Sequence, residues 1–330
     1  KQYSQIVEPV IKKMLVLNVD KRFQELVKYQ IETGGKRLRP ALAIISCQLF
    51  GGKIKDVLAS AAALEILHNY TLIIDDIIDN SALRRGKPTS WFKFGPSIAQ
   101  CIGMAYGAAI FQIANLSKEP KKISELSAKT LKSIVDGEIF DILFEQAGRE
   151  QEPFVIKNRY FKISEKDYFK MVKKKAALFI QNCCEIGGIV AGANQKEILA
   201  LRDYGFNLGM AFQIQDDILD IFGEEKKFGK KIGKDIIEKK GGNIVILIAL
   251  KELNVEGKKK LLGILRKKEI KQKDIKGAVN IIKTTRSRQE AILLAQKFIK
   301  RAKKALKTLP KNKWNNLLSA LADFVIEREK

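Results

Sequence analysis

The sequence predicts an all-α helical bundle built as one domain, residues 1–330, with a cavity between its helices. Three observations lead there. Long stretches of the 330-residue chain are rich in Ala, Ile, Leu, Lys and Glu, which favour helix. Apolar residues recur at helical spacing, and no convincing strand alternation appears. Seven prolines are scattered through the chain and no Ser/Gly-rich linker marks a seam, so the 46% apolar content serves one sizeable core.

The first helix covers about residues 2–17, with Ile6, Val7, Val10, Ile11, Met14 and Leu15 on one side. The second runs to Thr33 and stops at Gly34-Gly35. Pro40 suits the first turn of a third helix reaching about Phe50, because an N–H there has no helical acceptor. Asp56 can cap a fourth that carries Ala61 to Asp79. Later helices cover about 96–115, 121–147, 164–190 and 195–222, and Gly223 ends the last. Residues 224–242, rich in Lys and Gly, read as a loop. Four or more shorter amphipathic helices follow from Ile244.

The formal charge is +24, but Lys is dispersed rather than clustered with aromatics, and no nucleic-acid-binding motif is present. That distribution excludes nucleic acid as the main partner. It draws in anionic diphosphates and anionic membrane surfaces, so peripheral membrane proximity is expected, without a transmembrane segment: no uninterrupted run of 18 apolar residues occurs. Cys47, Cys101, Cys183 and Cys184 lack CxxC spacing and read as core residues in a reducing, cytoplasmic setting. With His68 the single histidine, no His-based zinc site can be built.

One word, DDxxD, is written twice, as Asp75-Asp76-Ile77-Ile78-Asp79 and Asp216-Asp217-Ile218-Leu219-Asp220. Neighbouring carboxylates repel and Asp is a poor helix former, so each copy is costly on a helix. At helical pitch the first and third Asp of a copy lie about 40° apart on one face. Two such pairs facing each other would make a cage of hard oxygen ligands, which suits Mg²⁺ completed by substrate phosphates. A single copy is usually a solvated helix end; two copies in apolar contexts point to a metal-dependent enzyme acting on a diphosphate.

Basic elements stand at useful spacing. Gly34 to Pro40 is a Gly turn feeding a helix N-terminus, which favours anions, and Lys36 and Arg39 can reach one phosphate. Arg84 and Arg85 follow Asp79 closely enough to reach a metal-held diphosphate with planar, permanently charged forks. Phe212 and Gln213 precede the second acidic word; an aromatic face or a neutral amide can steady a carbocation, although from the residues alone plain core packing is the better reading of Phe212. Lys174 or Lys175, Lys230, Lys239 and Lys240 are individually more typical of solvated surface.

Joined up, these strings resemble the trans-isoprenyl diphosphate synthases over nearly the whole chain. Gly34-Gly35-Lys36-Arg37-Leu38-Arg39-Pro40, His68, the first DDxxD with Arg84-Arg85-Gly86-Lys87-Pro88-Thr89, and Gly209 to Gln215 running into the second DDxxD carry the resemblance. Gly137-Glu138 with Asp141, Gly229-Lys230 and Gly233-Lys234-Asp235 are also similar. The resemblance implies the isoprenoid synthase-type all-α bundle with a central cavity, a homodimer, and three Mg²⁺ per site, with Mn²⁺ as a substitute. It implies head-to-tail condensation of isopentenyl diphosphate with an allylic diphosphate. Asp75, Asp76, Asp79 and Asp216 are then the metal ligands, with Asp217 and Asp220 as support or further ligands. Arg84, Lys174, Lys230 and Lys240 hold the allylic diphosphate; Lys36, Arg39, His68 and Arg85 hold isopentenyl diphosphate. Gln213 and Phe212 lie beside the reacting carbons.

Tyr70, five residues before Asp75, with the small Thr71 after it, resembles the archaeal-type geranylgeranyl diphosphate synthases that make a C20 product. Farnesyl or longer products, a non-catalytic subunit of a heteromeric synthase, and a class I terpene cyclase are the alternatives. Two departures stand out: Lys175 occupies the position of a usual Thr, and Gly241-Gly242-Asn243 is unusual after Lys240.

Overall fold

The computed structural model describes residues 2–223 and 233–327. Its helices are α1 (Gln2–Val16), α2 (Gln24–Glu32), α3 (Leu38–Leu49), α4 (Ile54–Ile78), α5 (Ser90–Phe94), α6 (Pro96–Ala114), α7 (Pro120–Leu143), α8 (Pro153–Asn158), α9 (Glu165–Val172), α10 (Leu178–Ala191), α11 (Gln195–Phe222), α12 (Lys234–Ile237), α13 (Ile244–Glu252), α14 (Val255–Leu265), α15 (Gln272–Lys283), α16 (Ser287–Leu306) and α17 (Lys313–Glu327). Among the described residues the only paired strands, β1 (Leu83–Arg84) and β2 (Lys87–Pro88), form a minimal antiparallel hairpin. The expected all-α class holds.

The chain falls into two compact units, and the boundaries lie inside helices rather than in a linker. One unit is Lys1–Lys132, Ile180–Gly205 and Lys303–Ala320; the other is Ser133–Phe179, Phe206–Ala302 and Leu321–Lys330.

The first unit is organised on α4, which packs against α1, α3 and α6. Ala61, Ala62, Ala63, Leu64, Ile66 and Leu67 are all buried, so this helix is apolar on nearly every side. By length and composition α4 and α6 are apolar enough to cross a membrane, but 61% of the apolar window of α4 is buried within the protein, as in a core helix. Its start differs from the expected Asp56 cap. Lys53 is the N-cap, and Asp56 falls in the first turn, where a carboxylate favours the helix dipole.

In the second unit α13 is the most apolar element, with Ile244 to Ala249 buried, and it packs on α9, α14 and α15. The helix expected over 164–190 is interrupted by a π turn at Lys173–Ala177, which separates α9 from α10. The helix expected over 121–147 stops at Leu143. Beyond it the backbone pairs locally, with Gln146 N–H donating to Lys239 O at 2.9 Å and Gly241 N–H to Phe144 O at 3.1 Å. A strand-like contact this short leaves no periodicity to read.

Candidate active site

The first acidic word ends α4, with Asp79 as the C-cap residue. That is the negative end of the helix dipole, so three carboxylates there need cationic compensation. Arg84 supplies part of it. Its Nε donates to Asp76 Oδ1 at 2.8 Å and its Nη2 to Asp75 Oδ2 at 2.6 Å. Burial disfavours the charged guanidinium, yet Asp75 and Asp76 more than offset that and hold Arg84 firmly protonated. The hairpin aims Arg84: Arg85 (φ 55°) and Gly86 (φ 74°) form its two-residue turn, the positive-φ pair that suits a strand twist. Asp76 is 1% exposed, whereas Asp75 and Asp79 keep partial access to solvent.

The hairpin is fastened to the glycine turn. Arg85 Nη1 donates to Gly34 O, Lys87 Nζ to Glu32 O at 3.1 Å, and Tyr29 Oη to Pro88 O at 2.8 Å. Gly35 (φ 142°) admits these arginines, because a Cβ on it would stand 3.0 Å from both Arg37 and Arg85. Arg37 is the anchor, and the motif reading missed it. Buried and left-handed (φ 51°), it donates to Glu8 at 2.9 Å, to Glu65 Oε1 at 3.0 Å, to Gly34 O at 3.0 Å and to Ile31 O at 2.7 Å. The available signal was Glu65, a lone carboxylate inside an apolar helix.

His68 lies on α4 one turn after Glu65. Burial, then the charges of Arg39, Arg85, Arg84 and Arg37, push its pKa well below the usual value of 6.5, so it is a neutral imidazole. Arg85 is itself pushed down, by burial and then by Arg37, Arg84 and Arg39, although Glu65 opposes the shift. Arg39 and Arg85 therefore crowd their positive charge around the neutral His68, and an arriving anion would relieve the repulsion. Lys36 is exposed at its edge.

In the second unit the second acidic word ends α11, again at the negative end of a long helix. Its members diverge. Asp217 is buried and accepts from Gln213 Nε2 at 2.9 Å and from Ile244 N–H at 3.0 Å, tying α11 to the start of α13. Asp220 is buried and accepts from the Lys234 and Asp235 N–H groups at 3.0 and 3.1 Å, at the start of α12. Burial, then Asp235, raises both carboxyls well above the usual range, a sign of uncompensated negative charge. Asp216 keeps partial exposure, as do Phe212 and Gln213.

A cavity of about 100 Å³ opens beside this cluster, lined by Gln213, Asp217, Asp235, Asp141, Lys175 and Lys240. Asn243 was also missed. It caps α13, donates to Asp235 Oδ2 at 2.8 Å and so explains the unusual Gly-Gly-Asn sequence as an N-terminal stop. Lys174, expected to hold the diphosphate, forms an ion pair with Asp136. Lys230 lies outside the described residues.

Among the described residues no group of three His, Cys, Asp or Glu side chains stands ready to hold a metal by itself. Partly exposed carboxylates that need further oxygens are nonetheless the donor set that Mg²⁺ uses with substrate phosphates, so the residues fit that ion.

Comparison with known proteins agrees. Residues 20–282 match the family model described as Polyprenyl synthetase. A short chain isoprenyl diphosphate synthase of Methanocaldococcus jannaschii is 37% identical over 267 residues, covering 80% of this chain and 77% of its own length. A geranylgeranyl diphosphate synthase of Saccharolobus solfataricus is 36% identical over 96% of both chains. The crystal structure of a polyprenyl synthase from Caulobacter crescentus, complexed with calcium and isoprenyl diphosphate, aligns with a TM-score of 0.85 at 27% identity, covering 100% of this chain and 97% of that one. Two Asp-rich helix ends, a glycine turn set with arginines and a family match across both units converge on one conclusion: the chain belongs to the polyprenyl synthetase family.

Proposed function

We propose that the protein is a prenyltransferase that joins isopentenyl diphosphate head to tail to an allylic diphosphate and yields geranylgeranyl diphosphate, C20. The observation that carries this reading is the presence of two distinct charge groups in one unit. Asp75 and Asp79 with Arg84 suit a metal-held diphosphate; Lys36, Arg39, Arg85 and neutral His68 suit a second diphosphate without metal. A reaction with two diphosphate substrates needs both, whereas a cyclase needs one. The C20 product is supported by Tyr70 on α4 and by the similarity to geranylgeranyl diphosphate synthases.

When bound, divalent ions neutralise the charge that grows on the departing diphosphate. Asp75 and Asp79 at the end of α4 would hold Mg²⁺, or Mn²⁺ in its place, and so would Asp216 at the end of α11; Asp76, Asp217 and Asp220 stiffen the helix ends that present them. Arg84 and Lys240 receive phosphate oxygens, Arg84 by releasing part of its hold on Asp75. His68 donates an N–H to isopentenyl diphosphate, and Arg39, Arg85 and Lys36 balance its charge. The Phe212 ring and Gln213 amide flank the allylic cation without quenching it. The double bond of isopentenyl diphosphate attacks, and the proton leaves to the released diphosphate. Water must be kept out, since it would capture the cation.

The chain works in this reading as a single polyprenyl synthase domain, homodimeric and cytoplasmic. Incubation of the purified chain with Mg²⁺, isopentenyl diphosphate and labelled farnesyl diphosphate tests it. A C20 diphosphate is expected; no incorporation of isopentenyl units would overturn the assignment, and a hydrocarbon product without incorporation would point to a cyclase.

A further inference from the structure

Resting on that functional reading, we propose that Lys175, not Lys174, is the lysine of the Lys173–Lys175 run that binds diphosphate oxygens, and that Asp141 holds Lys175 and Lys240 together as their shared counter-ion. The run enters a π turn, Lys173–Ala177, in which the Leu178 N–H reaches back to Lys173 O. A π turn carries one residue more than an α turn, so it redirects the side chains it contains, and such turns concentrate at functional sites. Ser133 Oγ donates to Lys174 O at 3.1 Å and steadies the turn from α7.

Glycine at 137 sets how closely α7 approaches. A Cβ there would stand 2.3 Å from Lys175 N and 2.6 Å from Lys175 Cα, so any larger residue would push the turn outward. The two lysines then part company. Lys174 pairs with Asp136, whose side chain is 54% exposed. Lys175 Nζ donates to Asp141 Oδ2 at 2.6 Å and pairs with Glu138 at 2.8 Å, inside the cavity shared with Gln213 and Asp217.

Lys240 Nζ donates to the same oxygen, Asp141 Oδ2, at 2.9 Å, and pairs with Glu238 at 3.2 Å. Two ammonium groups thus meet on one buried carboxylate oxygen. This arrangement fixes two flexible stems in the cavity before any ligand arrives, which removes much of the ordering cost of binding. When a diphosphate enters, Lys175 can turn an N–H to it while Asp141 stays paired with Lys240. A neutral hydroxyl at position 175, as in the resembling family, could not do this.

The test is calorimetric titration of inorganic pyrophosphate with Mg²⁺ into the wild-type chain and into Lys175→Met, Lys175→Arg and Lys174→Met. Loss of one charge-assisted hydrogen bond predicts binding weaker by about ten- to a hundredfold in Lys175→Met, partial recovery in Lys175→Arg, and a smaller loss in Lys174→Met. The double variant Lys175→Met/Asp141→Asn keeps the cluster's charge balance and should lose at least as much, because Lys240 then also lacks its shared counter-ion, if the single variant folds poorly. Equal binding by wild type and a folded Lys175→Met or double variant, or a larger loss in Lys174→Met, overturns this inference alone. A wild-type chain that binds no pyrophosphate overturns the functional reading and this inference together.

Discussion

Replacing Tyr70 by alanine should lengthen the product by about one five-carbon unit. Tyr70 lies five residues before Asp75 on α4, about 7.5 Å along the axis from the acidic end of that helix. Its ring edge lies against α6 where two glycines stand: a Cβ on Gly103 would be 3.7 Å from Tyr70 Cε2, and one on Gly107 would be 3.8 Å from it. The glycines leave a slot and the ring fills it. Truncation empties that slot, and the next side chains along α4, Ile66 and Leu67, lie one turn further, about 5.4 Å. An isoprenoid unit adds four main-chain carbons, roughly 5 Å at bond lengths like those of the backbone. The gain in depth therefore matches one more condensation, and C25 should replace C20 as the main product. The lost packing of a half-buried ring costs about 1–3 kcal/mol, less than the cost of a fully buried aromatic. The assay is chromatography of dephosphorylated products from labelled farnesyl diphosphate, with the melting temperature as a check on folding. A folded variant that still stops at C20 would refute Tyr70 as the floor. Gly103→Ala acts in the opposite direction, since its Cβ would crowd Ile74 Cδ1 at 3.2 Å, and should shift product toward C15.

Arg37→Met leaves Glu65, 2% exposed, without its guanidinium partner and should cost about 3–5 kcal/mol in denaturant unfolding; a loss below about 1 kcal/mol would contradict the anchoring role. His68 titrates lower in the folded protein than the usual 6.5, so between the two values the unfolded chain binds more protons. Its contribution to stability is complete above pH 6.5 and drains away as pH falls below it; on acidification the melting temperature of the wild type should fall relative to that of His68→Gln. Asp216→Asn should lower turnover by about 10²–10³-fold with little change in melting temperature, since this carboxylate is partly exposed. Chelation of divalent ions should abolish turnover in the wild type, and added Mg²⁺ should restore it.

Much of the fold was legible because helix formation is local. The apolar spacing located α1, the Gly34-Gly35 stop and the long helices that carry both acidic words, and the motif order pointed to a diphosphate. What it could not separate were residues of one type at one spacing. Asp216, Asp217 and Asp220 look alike as letters, yet Asp217 and Asp220 are tied to the backbone at the starts of α13 and α12, while Asp216 keeps solvent access. Arg37 looked like one more cation of the glycine turn and proved to be its buried support.

Lys174 and Lys175 are adjacent and identical, and only the π turn, Gly137 and Asp141 distinguish them. The chain alone thus determined its class, its helices and the chemistry it is equipped for, because periodicity and residue type act over a few neighbours. The tertiary structure decided which like-charged group is buried and which is presented. Desolvation and hydrogen-bond partners depend on residues far apart in the chain, as in the Lys240 ammonium that meets Asp141 from 99 positions away.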